Sequence, residues 1–424
     1  MKQLTKKPIF WSVVLILVGA AVWFNVSNND QIWPIRNFFQ YQVYSWWWDN
    51  IGAPDRSQRG TLQGVVRDEA GNPVDGATIL VADWEGTTYQ ARSDDDGRYT
   101  IHEIPIGSYQ PVAAAPDYDK VQFGNWRGRI RVRSGAPTLA DVTLPLKTLR
   151  AVSPGQDFSL TEPKKLSCTQ PVDTEAHQQQ IYFDNDGEPN QDAFYYTPVT
   201  TTTTAKFPLI LVVYPGPAAS WECASLSLTK PGYAVLAVGP AYSFDLETDL
   251  DEIERVLIFA REGEFPQSDS SKLAIIGGSY SSLHVQRLLQ REVPASAALL
   301  LGPPTDLFDM RRRLENGTFT PPFGLDQGLR AIGFPNRETL RYWQYSGAYH
   351  VDPDFPPMAV LHSRDDDVVP YQQSELLAKN LTAVEAPHEL YLFEGGHYLL
   401  AEDNDADTLA IYDTTIGFLD KHLR

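Results

Sequence analysis

The chain has 424 residues, 42% of them hydrophobic and 12% aromatic, which is enough to fill two domain cores and too much for general disorder. Its formal net charge of -19 argues against nucleic acid or an anionic lipid surface as the main partner, because neutralising phosphates needs a basic face.

At the N-terminus, Pro8 to Phe24 carry no charge and follow Lys2, Lys6 and Lys7. This pattern predicts a membrane-inserted helix of about 17 residues, with residues 1–7 in the cytoplasm and everything after it extracytoplasmic. "VGA" at Val18 to Ala20 offers the other reading, a cleaved signal peptide, and a buried core helix is the third. Residues 25–58 form an aromatic linker broken by Arg36, Gln40, Gln42 and Asp49, so they do not read as a second span. Trp46, Trp47 and Trp48 suit either the headgroup level of a membrane or packing on the domain that follows.

From Arg59 to Lys147 the texture is all-β. The segments "TLQGVVRD", "ATILVAD", "GRYTIHEI" and "DVTLPLK" alternate or run apolar, with Gly, Pro and Asp turns between them. The turns "DEAGNPVDGA" and "SDDDGRYTIHEIPIGSY" resemble the carboxypeptidase regulatory-like domain, which implies a small transthyretin-like β-sandwich and leaves room for a protein partner on it. Asp94, Asp95 and Asp96 read as a hairpin turn rather than a calcium cluster, and "DNDGEPNQD" at Asp184 to Asp192 reads the same way. Residues 148–174 read as a linker. Cys168 and Cys223 can pair in an oxidising compartment or stay as free buried thiols.

Beyond Lys206 strands alternate with helices. The runs "PLILVVY", "AVLAVG", "KLAIIGG", "SAALLLG", "PPMAVLH" and "HELYLF" are apolar on both faces, the mark of a mostly parallel sheet covered by helices. The long interval from Pro303 to Val351 suits a lid.

Chemistry concentrates at three strand ends. Ser279 has the small residues Gly277 and Ser281 two positions before and after it, as a sharp strand-to-helix turn requires; Ser281 and Ser282 have Leu283 and Tyr280 at the corresponding places. A run of carboxylates, Asp365 to Asp367, ends one later strand, and Gly395, Gly396 and His397 end the next. The order serine, carboxylate, imidazole is that of an α/β-hydrolase. His284 and His362 read as packing residues, and no zinc, phosphate or cofactor pattern stands out.

Residues from about 175 to 424 resemble the prolyl-oligopeptidase type of α/β-hydrolase. "GGSYSS" is similar to that family's nucleophile turn, "HSRDDDVVPYQQS" to its acid loop, and "VVYPGPAAS" to its oxyanion segment. The resemblance implies Ser279 as nucleophile, Asp366 as acid and His397 as base, with Asp365 and Asp367 as alternatives to Asp366. For the oxyanion it implies Tyr280 N–H together with the Tyr214 phenol or Gly216 N–H, Tyr214 being favoured. No cofactor or metal is implied. Peptidases of this type usually carry a β-propeller where this sequence has the small sandwich, so an ester and a short peptide are equal candidates as substrate. The alternative from another class is a surface binding or adhesion protein on an inactive hydrolase fold.

Overall fold

In the computed structural model, residues 19–20, 23, 32–51, 57–125, 128–148, 152–185, 187–190, 192–200, 204–239, 246–322, 325–397 and 406–424 are described. The expected span Pro8–Phe24 lies outside them apart from Gly19, Ala20 and Trp23. Among the described residues no helix is long and apolar enough to cross a membrane.

The chain divides into two compact units, the first comprising the chain up to Ala113, Gln122–Thr143 and Phe323–Thr339, the second the remainder. In the first, strands Arg59–Asp68, Arg98–Pro105 and Val142–Leu144 make one sheet, and Thr78–Ala82, Thr88–Arg92 and Val112–Ala114 belong to another. Leu62, Ile79, Val81, Ile101 and Leu144 are buried, and the buried Tyr99 hydroxyl donates to Ala140 O at 2.6 Å. The Asp94 turn is a hairpin: its Oδ1 accepts from Asp96 N and Arg98 N, and Gly97 takes the left-handed φ of 75° that the turn demands. The aromatic linker forms a helix, α1 (Trp33–Asn50).

The second unit is built on a sheet whose main strands are β1 (Gln156–Leu160), β2 (Lys164–Cys168), β3 (Thr174–Asn185), β4 (Ala193–Pro198), β5 (Phe207–Val213), β6 (Ala234–Val238), β7 (Ser268–Gly278), β8 (Ala297–Leu301), β9 (Met358–Ser363) and β10 (His388–Phe393), with the two-residue strand Glu188–Pro189 also paired to β3. Their order is β1-β3-β4-β6-β5-β7-β8-β9-β10, with β2 also paired to β3. From β6 to β10 every pairing is parallel, while β4 is antiparallel to both of its neighbours. This is the α/β-hydrolase arrangement, and the six apolar runs seen in the sequence are β5 to β10.

Alternation within each strand feeds two cores. On β5, Leu209, Leu211 and Val213 face a cluster completed by α3 (Leu246–Glu262), α4 (Ser282–Gln290) and α8 (Gln372–Ala383). Ile210, Val212 and Tyr214 face the other, with α2 (Glu222–Thr229) and α9 (Ala406–Leu423). Between Pro303 and Val351 lie three short helices, α5 (Leu307–Glu315), α6 (Leu325–Ala331) and α7 (Thr339–Gln344). Of this interval, Phe323–Thr339 cluster with the first unit rather than with the hydrolase unit.

One expectation is corrected: residues 148–174 are not a plain linker, because β1 and β2 add to the sheet there. Both strands are exposed or half-buried throughout, so their sequence carries no buried apolar stripe. Cys168 at the end of β2 is joined to Cys223 on α2, closing a separation of 55 residues.

Chain-entropy arguments put such a cross-link at about 2–4 kcal/mol. Replacing both Cys168 and Cys223 by Ser is expected to lower the free energy of urea unfolding by that amount. An unchanged midpoint and slope would mean that the bridge constrains nothing.

Candidate active site

The serine turn follows from close approach of strand and helix. Ser279 leaves β7 with φ 50°, a left-handed conformation that a residue with a side chain adopts only where its surroundings enforce it. A Cβ on Gly277 would stand 2.6 Å from Val285 Cγ2 and 2.8 Å from Ser281 O, so the position tolerates only glycine. Ser281, where the resembling family has glycine, is fully buried. Its hydroxyl accepts from Gly278 N at 3.0 Å and lies 2.5 Å from Val213 O, to which it donates, tying the turn to β5. Ser282 is fully buried too and donates to Ser279 O. Ser279 is therefore the serine of this turn whose hydroxyl makes no hydrogen bond with any described residue.

The loop after β9 buries one of its three carboxylates. Asp366 is 8% exposed, whereas Asp365 and Asp367 are exposed. Its Oδ1 accepts from Val368 N at 2.8 Å and Val369 N at 2.7 Å, and its Oδ2 lies 2.6 Å from His397 Nδ1. His362, fully buried on β9, adds a second imidazole: its Nε2 is 3.2 Å from Asp366 Oδ2 and 2.9 Å from Val369 O, and Ser374 Oγ lies 2.6 Å from its Nδ1. Nε2 faces two acceptors, so it carries the proton, and Nδ1 accepts from Ser374.

Burial alone would push the Asp366 carboxyl up. Hydrogen bonds from His362 and His397, the His397 charge and the Val369 N–H outweigh it and hold the carboxyl below the usual carboxylate range. Because the folded-state value is depressed, its contribution to stability is present above the unfolded value of about 3.9 and lost only as pH falls through the folded one.

Sheet register brings these groups toward Ser279. Gly278 pairs with Leu301, so Ser279 and Gly302 leave adjacent parallel strands side by side. Gly302, at φ 52°, has its Cβ position 3.1 Å from His397 Cε1 and 3.3 Å from Asp366 Oδ2. Strand order thus puts Gly302, after β8, between the serine turn after β7 and the loop after β9 that carries Asp366. His397 Nε2 is buried and makes no hydrogen bond with any described residue, including Ser279.

The remaining expected residues are placed as follows. Tyr280 follows the serine in the same short 3-10 turn, its ring edge-on to His284 at 5.3 Å. His284 is buried and paired with Asp249 at 3.0 Å, the packing role expected of it. Tyr214 is buried and stacks on Trp221; its hydroxyl lies 2.9 Å from Ser225 Oγ, and burial pushes the phenol up from its ordinary value. Gly216 is buried just beyond, its carbonyl oxygen 2.6 Å from the Cβ position of Gly239 at the end of β6. Sequence reasoning missed His362 as a partner of Asp366 and Gly302 as the spacer. Their signals, a histidine four residues before the acid and a glycine ending an apolar run, are weak alone. Among the described residues no group of three or more His, Cys, Asp or Glu side chains could hold a metal ion.

Residues 249–424 match the prolyl oligopeptidase family and residues 61–145 match the carboxypeptidase regulatory-like domain. No curated protein sequence matches the chain. Similar solved structures include an esterase B from Lactobacillus rhamnosis, 16% identical, covering 58% of this chain and 85% of that one with a TM-score of 0.48. A truncated carbohydrate esterase from gut microbiota is 19% identical over 55% of this chain and 91% of that one, TM-score 0.43. An acylaminoacyl peptidase from Pyrococcus horikoshii is 17% identical, covering 82% of this chain and 54% of that one, TM-score 0.45. The chain is a serine hydrolase of the esterase or peptidase type. Its N-terminal part is similar to the carboxypeptidase regulatory-like domain and its C-terminal part to the prolyl oligopeptidase family.

The stitching role of Ser281 is testable. Ser281→Ala leaves Gly278 N–H buried without its acceptor, so a loss of about 1–3 kcal/mol in unfolding free energy is expected. A variant as stable as the parent would mean that the hydroxyl does not hold the turn.

Proposed function

We propose that the chain hydrolyses an ester or short-peptide acyl bond through Ser279, His397 and Asp366. The observation that carries the reading is the buried Asp366–His397 pair, with the second ring nitrogen uncommitted, set across Gly302 from a serine in left-handed conformation. Ser279 Oγ attacks the substrate carbonyl carbon while its proton passes to His397 Nε2. Asp366, accepting from Nδ1–H, fixes the tautomer and stabilises the imidazolium. The tetrahedral oxyanion requires two donors. Tyr280 N–H is one; the Tyr214 hydroxyl is engaged with Ser225, which favours Gly216 N–H as the other. Collapse expels the alcohol or amine with the proton from His397, leaving an acyl-serine. His397 then takes a proton from water, whose oxygen attacks the acyl carbon, and returns it to Ser279 Oγ as the acyl–serine bond breaks and the acid leaves.

Pro8–Phe24 would anchor the chain in a membrane, with the hydrolase domain on the extracytoplasmic side. The Cys168–Cys223 bridge supports an oxidising compartment.

Ser279→Ala is expected to cost at least about 10⁴ in turnover of a p-nitrophenyl ester with little change in melting. Retained turnover at equal melting would sink the reading and favour an inactive hydrolase fold acting as a binding protein. Asp366→Asn is expected to cost about 10⁴, because the amide favours the wrong imidazole tautomer. Asp365→Asn and Asp367→Asn, both at exposed positions, should stay near parent.

A further inference from the structure

Helix α1 has two unlike faces. One is tied down within its own unit: Trp33 is buried, Asn37 Nδ2 donates to Ile332 O at 2.9 Å, and Arg36 turns inward, 3.9 Å from Glu338. Tyr41 and Tyr44 pack on Phe334 with ring centroids 5.7 and 5.6 Å away, and Arg337 lies over the Tyr44 ring at 4.7 Å and donates to its hydroxyl. The helix therefore cannot roll to hide its other face.

That other face carries Ile35, Phe39, Val43, Trp46 and Trp47, each between 50% and 63% exposed. Successive steps of four, four, three and one residues keep these side chains within about a third of the helix circumference; Asn50 is the exposed polar member of the same arc, and Arg36, which also falls within it, is buried and turned toward Glu338. Among the described side chains no exposed charged group stands on it. From Ile35 to Trp46 the stripe runs along the axis for about 17 Å.

We propose that this face lies in the membrane interface, parallel to the bilayer plane, with the β-sandwich unit held on its opposite side. The inference rests on the anchor reading of Pro8–Phe24, and the distance supports it. Residues 25 to 32 separate the apolar run from Trp33, and eight extended residues reach at most about 28 Å. A helix so tethered cannot leave the neighbourhood of the bilayer. Tryptophan and phenylalanine on an uncharged face suit the boundary between headgroups and acyl chains. With no exposed basic side chain on the stripe among the described residues, contact does not depend on anionic lipid, which the chain's charge of -19 disfavours. The membrane thereby becomes a structural partner of the regulatory-like domain, in addition to an attachment point.

The experiment is depth measurement by spin label on the full chain in phosphatidylcholine vesicles. The two native cysteines are bridged and no other is present, so Phe39→Cys, Val43→Cys and Trp46→Cys each introduce a single labelling site. Leu139→Cys, at an exposed position of the sandwich unit, is the aqueous reference. The three helix sites are expected to collide with a water-soluble nickel chelate at least about threefold less than the reference, and more with oxygen, as labels in lipid do. Chelate access equal to that at Leu139 in a chain that floats with the vesicles would overturn this inference and leave the anchor standing. A chain that does not float refutes both. Labels shielded from chelate and oxygen alike, with spin–spin broadening, would assign the face to a second copy of the chain and overturn the lipid occupant.

Discussion

Everything the site does depends on one tight turn. Strand β7 must end against α4 closely enough to leave Ser279 at positive φ, and the surroundings hold it there. Gly277 has no side chain because Val285 and Ser281 occupy the space, and Ser281 returns its hydroxyl to β5. The departure from a glycine at this last position of the turn is therefore a substitution of one device for another: a small residue that makes no room problem and adds hydrogen bonds. A strained conformation persists only where packing overdetermines it, and the parallel sheet supplies that packing from both faces.

The same sheet determines which groups meet the serine. Parallel strands end at one edge, so the residues that follow β7, β8, β9 and β10 are neighbours whatever their separation in sequence. Gly302 after β8 leaves the space that Asp366 and His397 fill. Asp366 is held from several sides, by two backbone N–H groups, by His397 and by His362. His362 acts as a positioning residue, since it touches the acid and not the serine turn. A carboxylate held below its ordinary range in this way suits a group that would orient an imidazole without taking its proton.

The central strands were legible because they are buried on both faces and read as uninterrupted apolar runs. Strands β1 and β2 were not: lying at the periphery of the sheet, they expose residues such as Lys164, Lys165 and Gln156, and their composition is that of a loop. The three groups of the proposed triad could be read from chain order and small-residue spacing. The choice among Asp365, Asp366 and Asp367 came from resemblance, and burial now separates them. The Tyr214 hydroxyl was also favoured by resemblance as an oxyanion donor, and it lies 2.9 Å from Ser225 Oγ, with either oxygen able to donate. The aromatic linker likewise could not be resolved by sequence, since Trp33, Tyr41 and Tyr44 pack within their own unit while Trp46 and Trp47 stay exposed on the other side of α1.

The central claim is that Ser279 is activated by its neighbours, and covalent labelling reads this directly. A fluorophosphonate reacts with a serine whose proton is taken by a base and whose oxyanion is stabilised. After labelling and trypsin digestion, mass spectrometry should place the adduct on the peptide Leu273–Arg287, with fragmentation assigning it to Ser279 and not to the buried Ser281 or Ser282. Stoichiometric labelling at Ser279 is the predicted result. An unlabelled chain, or an adduct on any other serine, would contradict the account.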